Sequence, residues 1–89
     1  MSLAEDLRAA AEDELQRATT LSWRQLSGLT PWGDTYEGFT PGGRGVCFER
    51  SYLWETASGG DIRVEVTVYE ADAYEQGVKL TRTISHQAS

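Results

Sequence analysis

The chain has 89 residues and a formal net charge of −6, with eight Lys and Arg (Lys79 the sole lysine) against fourteen Asp and Glu. That length suits one small domain spanning 1–89, and the lack of any basic run argues against a nucleic-acid backbone or an anionic membrane surface as partner, since clustered cations hold both. Cys47 is the only cysteine, so no disulfide can form within the chain; no apolar run approaches the roughly 18 residues of a membrane span, acids interrupt the N-terminus at once, and the expected compartment is the cytoplasm.

Residues 2–28 read as helical. Ser2 with Glu5 has capping-box spacing, and Leu3, Leu7, Ala11, Leu15 and Ala18 draw one apolar stripe along a helix over 3–19. Glu5, Asp6, Glu12 and Asp13 fill its other sides and are expected mostly in solvent. Ser22 and Gln25 repeat the cap spacing, Leu21 and Leu26 stand at hydrophobic-staple positions, and Gly28 is a stop signal. Residues 23–28 therefore form a second short helix or prolong the first, with Trp23, Leu26 and Leu29 in the core.

After Pro31 the period changes to two, and residues 34–86 read as sheet. "DTYEGF" (34–39) is a short strand. "TPGGRG" (40–45) looks at first like a phosphate loop, but a strand pattern follows it where an anion site needs a helix. Pro41 and Gly42 fit the central positions of a type II turn instead. Residues 46–56 place Val46, Phe48, Arg50, Tyr52 and Trp54 on one face. Residues 61–70 place Ile62, Val64, Val66 and Val68 on one face, and 78–86 do the same with Val78, Leu80, Arg82 and Ile84.

The predicted fold is α+β: an N-terminal helix, with or without a second short one, on one face of a four-stranded antiparallel meander. One side of the sheet is covered and the other is wet. A three-residue loop Ser58-Gly59-Gly60 aligns the apolar faces and sets Trp54 opposite Val64, Tyr52 opposite Val66 and Arg50 opposite Val68. Pairing Val66 with Arg82 then brings both arginines near Tyr52.

No catalytic constellation, metal-ligand spacing or cofactor motif stands out. His86 reads as a residue of a frayed tail, Cys47 as a strand residue, and Glu70, Asp72 and Glu75 as a solvated loop. Arg50 and Arg82 lie on an apolar face, where a cation needs a partner or a ligand. An ion pair to a helix acid, with the stems on aromatic rings, is the plainer reading. An anion pocket of Arg50, Arg82 and Tyr52 is the sharper one. Trp32, Tyr36 and Phe39 form an aromatic patch for a partner, or Trp32 plugs the open end of the core. Lacking a catalytic set, and rich in aromatics, the chain is expected to be a non-enzymatic protein acting by protein–protein contact, as a homodimer or with another partner. The alternatives are an anionic-ligand binder and an accessory subunit of an enzyme.

Overall fold

The computed structural model describes residues 2–86. Two helices, α1 (Leu3–Ala18) and α2 (Trp23–Ser27), precede four strands, β1 (Trp32–Phe39), β2 (Gly45–Trp54), β3 (Ile62–Tyr69) and β4 (Val78–Ile84), with a 3-10 turn at Tyr74–Gln76. The strands form one antiparallel sheet in the order β1-β2-β3-β4, and α1 lies over β3 and β4.

Both helices begin where the capping pattern places them. The Ser2 hydroxyl accepts from the Glu5 N–H at 3.2 Å while the Glu5 carboxylate accepts from the Ser2 N–H at 3.1 Å, and Ser22 with Gln25 repeats the exchange. Each reciprocal pair satisfies two backbone donors that have no partner inside the helix. α2 is separate from α1. Leu26 is fully buried and Trp23 packs on the core, but Leu29, expected inside, is exposed. Leu29 lies beyond the Gly28 cap, where the chain has already left the helix.

The core is the seam between α1 and the sheet. Leu7, Ala11, Leu15 and Ala18 face Ile62, Val64, Val66 and Val68, all four of which are wholly buried. Their alternation with half-buried Arg63, Glu65 and Thr67 is that of a sheet covered on one side. α1 spans only half the sheet, so the β1 and β2 half of the covered face is filled by Trp32, Tyr36, Phe48 and Tyr52. Trp32 stacks on Tyr52 at 4.9 Å and Tyr36 on Phe48 at 5.1 Å between centroids.

The strand register differs from expectation by two residues. Trp54 pairs with Ile62, Tyr52 with Val64 and Arg50 with Val66, and on the far side Arg82 pairs with Val64 and Leu80 with Val66. A two-residue displacement keeps every side chain on its assigned face. The connection runs from Glu55 to Asp61, closed by the Glu55 N–H on the Asp61 carbonyl, with Gly59 left-handed at φ 86°. The longer loop is held from outside. The Trp23 indole donates to the Gly60 carbonyl at 2.8 Å, and the His86 N–H donates to Asp61 at 3.0 Å. His86 also stacks on Trp23 at 3.9 Å, so the tail is tied down as far as that residue. The expected fraying of the last residues falls on 87–89, outside the described residues.

β1 starts two residues earlier than predicted, at Trp32. Its hairpin with β2 is closed by the Thr40 N–H on the Arg44 carbonyl and the Gly43 N–H on the Thr40 carbonyl, both at 2.9 Å. The left-handed residue is Gly43, at φ 88°, and not the Gly42 that a type II turn requires. A tight turn followed by a left-handed glycine suits the strand twist of a three-residue hairpin loop, and it frees the Gly42 N–H for another partner.

Candidate functional site

The aromatic half of the covered face holds the predicted site residue Arg50. Its guanidinium lies 5.2 Å from the Trp32 ring centroid and 5.0 Å from that of Tyr36. Nη1 donates to Glu14 of α1 at 3.0 Å, while Nε and Nη2 straddle the two oxygens of Asp34 at 3.4 Å. Glu14, whose side chain is only 5% exposed, also accepts from Arg17 at 2.8 Å. The ion-pair reading of Arg50 thus describes its surroundings. Register places Asp34 directly opposite Arg50, and the helical spacing Asp6–Ala10–Glu14 turns a second buried ridge of α1 toward β2.

The cluster shifts its neighbours in a consistent sense. Burial, helped by a hydrogen bond to Glu14, pushes the Tyr36 phenol up to about 12. Burial also raises Tyr52, with the charge of Arg50 pulling the other way. Burial by itself would lower Arg50, but the hydrogen bond and charge of Asp34, together with the charge of Glu14, outweigh it and hold the guanidinium above its ordinary value. Two carboxylates engage Arg50 and two arginines engage Glu14, so the charges are largely spent on one another.

A second buried acid ties α1 to the β1–β2 turn. Asp6 is 1% exposed, contrary to its expected place in solvent. It accepts from the Thr40 hydroxyl at 2.5 Å and the Gly42 N–H at 2.9 Å, and pairs with Arg44 at 3.2 Å. The Thr40 hydrogen bond is the main reason its carboxyl lies below the usual range; burial opposes it, and Gly42 and Arg44 assist. A side chain at Gly42 would put a Cβ 2.7–2.9 Å from that carboxylate, so the close approach requires glycine.

The other predicted residues disperse. Tyr52 is buried beside Trp32, but Arg82 lies beyond α1 on the outer strand, exposed, donating to the Thr19 hydroxyl at 3.1 Å. Arg50 and Arg82 therefore do not share a pocket. The aromatic patch divides too. Trp32 and Tyr36 belong to the covered face and pack, partly buried, against the core, whereas Phe39 is on the opposite face and 75% exposed. The parity of positions 32 and 36 against 39 was the available signal.

What remains open is the edge of β1. Alternation from the Thr40–Arg44 closure assigns Gly38, Tyr36, Asp34 and Trp32 to the hydrogen-bonded pairs with β2, which turns the N–H and C=O groups of Gly33, Thr35, Glu37 and Phe39 outward. Neither helix packs along this strand. β4, the other edge, lies under α1 and carries Lys79 and Arg82, charges that discourage strand addition. Among the described residues no three of His, Cys, Asp and Glu are grouped to hold a metal, and no helix is long and apolar enough to cross a membrane. Comparison with protein-family models, with curated proteins and with solved structures finds no match to this chain.

Proposed function

We propose that this is a non-enzymatic cytoplasmic protein that acts by protein–protein contact, adding a second copy of itself along the β1 edge. The observation that supports this reading is an eight-residue edge strand with no Lys, Arg or Pro; of its two charges Asp34 is neutralised by Arg50, which leaves Glu37 as the one charge guarding its outward backbone groups. Antiparallel addition with Thr35 facing its own copy sets Asp34 opposite Tyr36 and Gly33 opposite Glu37, so no like charges meet directly. It joins two four-stranded sheets with their helices on one side. The lone half-buried thiol of Cys47 suits a reducing compartment.

The test is sedimentation equilibrium with Thr35→Pro as the control. Proline at 35 deletes an outward N–H and leaves the β1–β2 ladder its donors. The parent should dimerise and the variant should stay monomeric with unchanged circular dichroism. A parent that stays monomeric up to about 1 mM, where a free energy of only about −4 kcal/mol would already show association, removes the proposal.

The anionic-ligand alternative has less support. Arg50 already holds two carboxylates and Arg82 is remote from it. An accessory-subunit role would appear as a co-purifying enzyme in place of a self-dimer.

A further inference from the structure

Beyond the hairpin turn, on the wet face of the sheet, Phe39 stands 75% exposed beside a shallow groove of about 510 Å³. Gly38, Gly45, Val46, Cys47 and Ala71 form the rest of its apolar lining, and Glu37 borders it. Gly45, paired with Phe39, lies where a Cβ would reach into the groove and touch the Phe39 ring at 4.0 Å; Gly38 contributes only backbone there, since its Cβ would point to the covered face, 2.9 Å from the Phe48 ring. An exposed ring over a glycine floor leaves room for one apolar side chain, and the volume lies within the roughly 300–1,000 Å³ of ligand clefts.

The charge around the groove is one-sided. Glu37 lines it, and Glu70 and Asp72 flank Ala71 in the β3–β4 connection, with Glu75 one turn on. None of these four carboxylates has an ion pair or a side-chain hydrogen bond among the described residues. The nearest basic residues in the fold are already engaged, Arg44 by Asp6 at 3.2 Å and Lys79 by Glu65 at 3.2 Å. Glu5, Asp13, Glu49 and Asp61 also lack a basic side-chain partner among the described residues, so what sets the groove apart is that its unmatched acids sit together, Glu37 lining it and Glu70 and Asp72 on either side of its lining residue Ala71.

We infer that the Phe39 groove is a docking site for a partner segment with one large apolar side chain flanked by Arg or Lys. The anchor would cover the ring and the glycine floor, while its neighbours supply the cations that Glu37, Glu70 and Asp72 lack. A second copy of this chain does not fit that description: among the described residues only Arg24 and Arg82 are without a carboxylate partner, and neither adjoins an exposed large apolar side chain on a strand. The groove shares Glu37 and Phe39 with the outward edge of β1 but uses their side chains on the wet face and not their backbone groups, so it is tested on the monomeric Thr35→Pro variant as well as on the parent.

Amide NMR titration of the full chain decides it, using three capped pentapeptides: Arg-Leu-Phe-Leu-Arg, Glu-Leu-Phe-Leu-Glu and Arg-Ser-Ser-Ser-Arg. Only the first should shift the amides of Glu37–Phe39, Gly45–Cys47 and Ala71, and added salt should weaken it. Phe39→Ser should lower the affinity at least about tenfold, as loss of an anchor contact does, with an otherwise unchanged spectrum because the ring is exposed. Glu37→Lys with Asp72→Lys should transfer the preference to the Glu-flanked peptide. Equal binding of the first two peptides, shifts centred elsewhere, no shift at all, or unchanged binding by Phe39→Ser would each overturn the inference. Repeating the titration on Thr35→Pro separates this result from that of the β1 edge.

Discussion

Glu14→Gln probes the most heavily connected side chain of the covered face. Glu14 receives Nη1 of Arg50 at 3.0 Å and Nη2 of Arg17 at 2.8 Å, and its own side chain is 5% exposed. Gln keeps the shape and loses the charge, leaving Arg50 with Asp34 alone. Breaking a fully buried pair by neutralising one member costs about 3–5 kcal/mol. Arg50, however, keeps 26% of its side chain in water and Asp34 keeps 41%, so screening reduces the loss. The value expected is that of a charged hydrogen bond, about 1.5–3 kcal/mol. At about 4–8 °C per kcal/mol for a domain of this size, Tm should fall by roughly 6–24 °C. Urea unfolding followed by tryptophan fluorescence measures it, since Trp32 lies against the Arg50 guanidinium. Arg50→Met should cost a similar amount by stranding Glu14 on exposed Arg17. The double variant should lose less than the two losses added, with a coupling of about 1–2 kcal/mol. Coupling under about 0.5 kcal/mol, the ordinary error of additivity, would refute the view that this pair locks α1 to β2.

Asp6→Asn addresses acid stability. The Asp6 carboxyl is depressed in the folded chain, so the carboxylate contributes stability that is complete above its unfolded value of about 3.9 and is lost as pH falls through the lower folded value. The variant should be less stable at neutral pH and should show a shallower loss below about pH 4 in thermal melts at stepped pH; parallel acid profiles would contradict the Thr40 contact as the cause. Leu26→Ala removes a wholly buried side chain of α2 and should cost about 2–5 kcal/mol in the same urea assay; a loss below about 0.5 kcal/mol, typical of surface positions, would mean that α2 does not close the core.

Features repeated along the chain were legible in its residues, and those made by contacts between distant residues were not. The capping boxes at Ser2 and Ser22 are complete within four residues, and the alternation of Ile62, Val64, Val66 and Val68 needs only its own strand to show which face is buried. Alternation, though, is blind to a displacement of two. Register was decided by the length of the 55–61 loop, which depends on the Trp23 indole and the His86 amide reaching Gly60 and Asp61 from 37 and 25 residues away. The same distance hid Asp6 and Glu14. On α1 alone they belong with the solvated acids, and only Thr40, Gly42, Arg44 and Arg50, brought across by the sheet, make their burial tolerable. The one early clue was Arg50 itself. A cation on an apolar strand face implies an anion facing it, and on a helix that presents Asp6, Ala10 and Glu14 as a single ridge, that anion had few other places to be.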